Sequence, residues 1–166
     1  MKKILGFIIF LIVLTVVLEG NFKTKGTFKE FVIDDYIEES ESKEIASVMV
    51  EDLREPDWER TESTDINIID KILNEIGELE VYEYRNDFPK MTTDQFRISF
   101  KNARSYERLD IILMEDNYIY IRMNNTKVTR ENKDIIRETI RTRKYIQVIN
   151  KEIDNEFIDY IISLVK

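Results

Sequence analysis

The chain has 166 residues, enough for one ordinary domain and an appendage. It carries 25 lysines and arginines against 33 aspartates and glutamates, and this formal net charge of -8 disfavours a nucleic-acid partner. Cysteine and histidine are absent and Gly77 is the only glycine after residue 26, which excludes disulfides, thiol and imidazole catalysis, His or Cys metal sites and glycine-rich phosphate loops.

The first element is an export or anchoring signal. Met1, Lys2 and Lys3 form a cationic head, and Ile4 to Leu18 is an uncharged run of 15 residues whose Ile4, Phe7, Phe10, Leu14 and Leu18 are the candidate membrane-anchoring side chains. As a helix the run spans roughly 22 Å, short of the ~30 Å hydrocarbon core, as in a cleavable signal peptide. Against cleavage, Val16 to Asn21 offers no A-x-A-like peptidase site, so a signal peptide and an uncleaved signal-anchor helix both stand for residues 1–26. In either case the lysines stay cytoplasmic and everything after Leu18 is sent outside: a single-pass membrane protein if uncleaved, a secreted one if cleaved.

Residues 27–44 read as an acidic juxtamembrane segment. From Thr27 to Asp65 there are four basic residues against fourteen acidic ones; Glu38 to Glu44 has no side chain suited to a core, so it reads as a spacer, while the apolar cluster Phe28, Phe31, Val32 and Ile33 argues against complete disorder before it. Residues 45–166 read as an extracytoplasmic α+β domain, an antiparallel sheet of about five strands with helices packed on it. Ile45, Val48 and Val50 suggest a first strand. Ile66, Ile69, Leu73 and Ile76 give one apolar helical stripe, with Thr64 as N-cap and Gly77 as the left-handed residue ending the helix. Leu79 and Val81, then Phe96, Ile98 and Phe100, alternate with polar residues as strands. Leu109 to Met114 and Tyr118 to Met123 flank Asp116-Asn117, read as a two-residue hairpin loop that sets Met114 opposite Ile119 and Ile112 opposite Ile121. Both faces of that hairpin are then partly apolar, and a cover is expected on each. Ile135, Ile136, Thr139 and Ile140 favour a helix over 129–142 against a strand, Tyr145 to Ile149 reads as a last strand, and Asp154 caps a terminal helix, with Ile153 placed to pack on Ile158.

The helix over 64–76, the turn Asn86-Asp87-Phe88-Pro89, the strand Phe96 to Phe100 and the hairpin at Asp116-Asn117 resemble an uncharacterised family of small exported or membrane-anchored domains of low-GC Gram-positive bacteria, over residues 45–125. The resemblance implies an extracytoplasmic setting and no known activity or catalytic residues. The basic segment and C-terminal helix that follow depart from it.

Candidate sites are few. Ser40-Glu41-Ser42-Lys43 has the S-x-x-K spacing of acylating enzymes, but no S-D-N or K-T-G element accompanies it. Lys127 to Lys144 holds seven basic residues and three acidic ones, and on a helix Arg130, Lys133, Arg137, Arg141 and Lys144 would form one cationic stripe for an anionic wall polymer, a lipid headgroup or the protein's own acidic segment. Trp58 is a candidate protein-partner anchor or a lid folded on the core. The composition points to a membrane-anchored binding or regulatory module with no catalytic residues, metal or cofactor. The alternatives are a surface immunity or inhibitor protein that binds a toxin or hydrolase, and an enzyme working through carboxylates.

Overall fold

The computed structural model describes residues 24–54, 60–84, 93–103, 106–131 and 134–166. The anchor residues Ile4, Phe7, Phe10, Leu14 and Leu18, the turn Asn86-Asp87-Phe88-Pro89, Trp58 and Lys133 lie outside them. Among the described residues no helix is long and apolar enough to cross a membrane.

The α+β architecture is as expected, but the sheet has eight strands rather than five. These are β1 (Thr24–Thr27), β2 (Ile45–Asp52), β3 (Arg60–Ser63), β4 (Glu80–Tyr84), β5 (Asp94–Asn102), β6 (Arg108–Met114), β7 (Tyr118–Glu131) and β8 (Asp134–Val148). Their order is β1-β4-β8-β7-β6-β5-β2-β3, and every pairing is antiparallel. Both edge strands are four residues long, which limits the unpaired ladder they offer to other chains.

Three helices accompany the sheet among the described residues: α1 (Asp34–Glu39), entered through a π turn at Lys29–Ile33, α2 (Ile66–Gly77) and α3 (Asn155–Val165). They bury Val32, Ile33 and Tyr36, then Ile69, Ile72 and Ile76, then Phe157, Ile158 and Ile161 in one core with Val48, Phe96, Ile98, Phe100, Ile111 and Ile121 of the sheet. Residues 27–44 are therefore not a bare spacer. Phe28, Val32 and Tyr36 are fully buried, and Lys43 Nζ donates to the carbonyls of Ile37 and Glu38, closing the end of α1. Phe28, Val32 and Ile33 of the apolar cluster are buried, and the acids of the segment lie on its outer side.

Two expected caps move. Asp65, not Thr64, caps α2, its side chain accepting from the Asn67 amide at 2.9 Å. Gly77 is the last helical residue and does not take a positive φ, and Glu78 follows in right-handed geometry. A Cβ at Gly77 would meet Lys29 Cβ at 3.4 Å and Ile33 Cδ1 at 3.5 Å, ordinary contact distances, so the packing of the π turn on α2 leaves room for a small side chain there. Asp154 caps α3 as expected, accepting from the Phe157 amide at 2.9 Å. Asp154→Ala is expected to cost about 1 kcal/mol, read as a lower denaturant midpoint at unchanged slope.

The segment 129–142 is strand, not helix. β7 and β8 form one continuous ladder from Tyr118↔Gln147 to Glu131↔Asp134, and beyond Asn124, the last β7 residue paired with β6, it is a two-stranded ribbon. The overlooked signal is a run of β-branched residues, Val128, Thr129, Ile135, Ile136, Thr139, Ile140 and Thr142, which pack better on a pleated surface than on a helix.

The β6–β7 hairpin turns through Glu115–Asn117, with Asp116 and Asn117 at φ of 59° and 62°, and pairs Leu113 with Ile119 and Ile111 with Ile121. This corrects the expected register by one residue, and a one-residue slip moves every side chain to the other face. Leu109, Ile111 and Leu113 thus join Ile119, Ile121 and Met123 on the helix-covered side. Asp110 and Ile112 join Tyr120 and Arg122 on the opposite side, where no described helix packs.

Candidate functional site

That opposite face, on which no described helix packs although Met49, Ser99, Asp110 and Ile112 are buried, is organised in rows running across the strands. One row is Ser47, Lys101, Arg108, Asn124 and Arg141, and the next is Glu62, Met49, Ser99, Asp110, Arg122 and Arg143. A third holds Arg60, Glu51, Arg97, Ile112, Tyr120 and Tyr145. The pleat makes such residues neighbours: side chains directly opposite across antiparallel strands stand about 4.5–5.5 Å apart at Cβ.

The charges on these rows do not balance. Lys101 Nζ lies 3.4 Å from Glu62, whose carboxyl is held below its usual range first by the Ser47 hydroxyl and then by Lys101. Arg97 pairs with Glu51 at 2.9 Å. Asp110, 4% exposed, accepts from the Ser99 hydroxyl at 2.7 Å and from Arg108 Nε, and lies 3.7 Å from Arg122 Nε. One buried carboxylate thereby faces two guanidinium groups from different strands. Arg122 sits directly opposite Arg143, and Arg141 lies two residues along β8 from Arg143. Arg141 and Arg143 are exposed, and neither has an ion-pair partner among the described residues. Like charges placed opposite one another destabilise a sheet, so this face carries an uncompensated positive strip on a chain of net charge -8. Beside it, the Tyr120 and Tyr145 rings stack on each other, their centroids 4.7 Å apart at 25°.

The proposed helical stripe is therefore dismantled by the strand geometry. Arg141 belongs to the open face with Arg122 and Arg143. Lys144 falls on the helix-covered face, where its Nζ lies 2.6 Å from Asp35, donates to the Phe31 carbonyl at 2.8 Å and approaches Glu83 at 3.7 Å, pinning the start of α1 to the sheet. Arg137 and Arg130 take register positions opposite Val128 and Ile135 in the ribbon. The sequence reading missed Arg122, Arg143 and Asp110. The signal available was the alternation of Thr139, Arg141, Arg143 and Tyr145 with Glu138, Ile140, Thr142 and Lys144, which has a period of two.

A second polar centre lies inside the fold. Glu107 is fully buried and its oxygens accept from the amides of Glu41 (2.7 Å), Ser42 (3.0 Å) and Thr126 (3.3 Å) and from Asn102 Nδ2 (3.2 Å). Tyr36 donates to Asn102 Oδ1 at 2.8 Å, and Ser40 Oγ donates to the Tyr36 carbonyl. Ser40 and Lys43 are thus each engaged by α1 backbone and do not form a nucleophile and base pair. Because every Glu107 contact secures residues 40–44 or a neighbouring strand, this centre is structural.

Comparison with protein-family models, curated proteins and solved structures finds no match. The argument about function therefore rests on the site itself. Among the described residues no group of three or more acidic side chains is arranged to hold a metal ion. A groove of about 580 Å³ beside the β6–β7 turn is lined by Gln95, Asp116, Asn117, Glu152, Asp154 and Asn155. Two of these already serve the fold: Asn117 accepts from the Ile153 amide, and Asp154 caps α3.

Proposed function

We propose that the protein is a non-catalytic binding module held on the outer surface of a Gram-positive cell by its N-terminal segment, and that its open sheet face meets an anionic ligand. The observation that carries this reading is the cross-strand apposition of Arg122 and Arg143, extended by Arg141, with Asp110 the one carboxylate among them. A bound anion would relieve the repulsion that these neighbours impose on the free sheet, so ligand binding and sheet stability are coupled. The uncharged run Ile4 to Leu18, its preceding lysines and the lack of a cleavage pattern support the setting.

The test uses the full-length chain in detergent on a dextran sulfate column. The double substitution Arg141→Glu and Arg143→Glu is expected to weaken retention at least tenfold, while Lys71→Glu on α2 leaves it unchanged. Equal elution of all three proteins would reject the face as the binding surface. For the setting, the chain should fractionate with membranes and be digested by protease added to intact cells. Recovery from culture medium as a chain beginning near residue 20 would show cleavage instead.

A further inference from the structure

The longest unpaired edge of the sheet narrows the ligand class, and this step rests on the anion-binding reading above. We propose that the ligand is an extended acidic segment of a partner polypeptide, which adds to the edge of β8 as a further strand and sets its carboxylates opposite Arg141 and Arg143.

The edge is visible in the pairing. β4 covers β8 only from Tyr145 to Val148, so among the described residues the same side of β8 is unpaired from Asp134 to Lys144, roughly 33 Å at ~3.3 Å per residue. The direction of its backbone groups follows from two contacts. The Ile149 amide donates to the Glu80 carbonyl across the β4 ladder, and in antiparallel pairing alternate residues turn both polar groups toward the same neighbour. Odd-numbered residues of β8 therefore aim N–H and C=O away from β7. On the far side of the ribbon, the Thr126 amide donates to Glu107, away from β8, so Thr139 directly opposite turns its own amide outward as well. Thr139, Arg141 and Arg143 thus line up outward-facing N–H and C=O groups that have no backbone partner among the described residues.

Such an edge is a template for another strand. The terminal strands β1 and β3 are only four residues long, and the first amide past the β6 pairing on the β7 side of the ribbon is already taken by Glu107. The β8 edge is blunted in neither way. Every pairing in the sheet is antiparallel and β4 ends where the bare edge begins, so the added strand continues the line of β4.

Side chains select what that strand carries. On the face away from the helices, Arg141 and Arg143 are exposed and lack an ion-pair partner among the described residues, which favours acids at alternate positions beside them. On the other face the strand would lie beside Ile140, which is 37% exposed, and Thr142, which favours apolar residues between the acids. An anion without a peptide backbone could meet the arginines but would leave the ladder and Ile140 unused.

The experiment measures binding of the full-length chain in detergent to an acetylated nine-residue peptide of alternating glutamate and valine. In the antiparallel register the glutamate amides face β8 and the valine amides face away. N-methylation of the glutamate amides is expected to weaken binding about tenfold or more, while N-methylation of the valine amides leaves it unchanged. A lysine and valine peptide should not bind. Thr139→Pro removes one outward N–H without touching the β7 ladder and should weaken the parent peptide about fivefold; the methylated peptides keep the test decisive if that variant does not fold. Equal binding of the glutamate-methylated peptide overturns strand addition, and equal binding of the lysine peptide overturns the acidic assignment. If dextran sulfate retention still falls in Arg141→Glu with Arg143→Glu, either failure leaves the anion-binding reading standing. If that double substitution alters neither dextran sulfate nor peptide binding, both readings fall.

Discussion

Glu107→Ala is expected to destabilise the protein by about 3–5 kcal/mol, among the largest effects of any single polar substitution in the fold. The reasoning follows from its donors. A fully buried carboxylate receives three backbone amides and one side-chain amide, and no cation pairs with it among the described residues. Removing it takes the acceptor from the Glu41, Ser42 and Thr126 amides, while Asn102 Nδ2 keeps the Ser42 carbonyl at 2.7 Å, and each orphaned buried group costs about 1–3 kcal/mol before relaxation. The loss should fall on residues 40–44 first, because the Glu41 and Ser42 amides have Glu107 as their acceptor. Hydrogen exchange at those two amides should accelerate more than at Ile98 or Ile111 in the central strands. Glu107→Gln keeps one acceptor oxygen and should cost about 2 kcal/mol. A midpoint shift below about 1 kcal/mol for the alanine variant would mean that the segment is held by other contacts.

Alkaline pH should expose the neighbouring group. Burial, reinforced by the charge of Glu107, raises the Tyr36 phenol well above its ordinary value near 10. A folded pKa above the unfolded one means that the stabilising contribution is complete below pH 10 and is lost as pH rises from 10 toward the folded value. The unfolded chain releases the proton first, so stability should fall with a slope that approaches about 1.4 kcal/mol per pH unit once pH is well above 10, from this residue alone. Tyr36→Phe cannot ionise and should lose that component of the slope. At neutral pH it should be about 1–2 kcal/mol less stable than the parent, since Asn102 Oδ1 loses its donor. Denaturation curves of both proteins at pH 8, 10 and 11.5 give the comparison. Parallel slopes for the two would contradict the assignment.

Much of the domain could be read from the chain because local periodicity reports which side of an element is buried. Ile69 and Ile76 marked the buried side of α2, although Ile66 of the expected stripe is exposed and Ile72 is fully buried in its stead; Phe96, Ile98 and Phe100 marked β5; Asp154 marked the start of α3. Failures occurred where two local patterns compete or where the partner is remote. Residues 129–142 allow either a helical or a strand pattern, and the choice was made by the β7–β8 pairing, nine register pairs that a helix there would forfeit. The hairpin register could have been recovered from parity. Leu109, Ile111 and Leu113 are all odd, as are Ile119, Ile121 and Met123, and a loop of odd length, here the three residues 115–117, rather than the two-residue loop expected, places both sets on one face. β1 and β3 are four-residue strands in charged surroundings, and their identity depends on the neighbours β4 and β2 rather than on their own pattern.

The candidate site was legible only as composition. Seven basic residues between Lys127 and Lys144 signalled an anion-binding region, yet wrapping them on a helix selected the wrong companions. Strand alternation separates Lys144 from Arg141 and sends it beneath α1, while β7 and β6 bring Arg122 and Asp110 alongside Arg143 from 21 and 33 residues away in the chain.

By itself, the amino-acid sequence determined which chemistry is missing: without cysteine or histidine, and with one glycine after residue 26, thiol, imidazole and glycine-loop sites are impossible in any fold. It also determined the excess of negative charge and the apolar faces of α2, β5 and α3, because these depend on residue types and near neighbours. The tertiary structure alone decided where the apolar side chains of 27–44 would be buried, that Gly77 would end α2 without a positive φ, and that Arg108 and Arg122 would meet at a buried aspartate with Arg143 in register beside them. Those outcomes depend on pairing between strands far apart in the chain, and pairing is chosen by the burial of a whole face rather than by any residue's local preference.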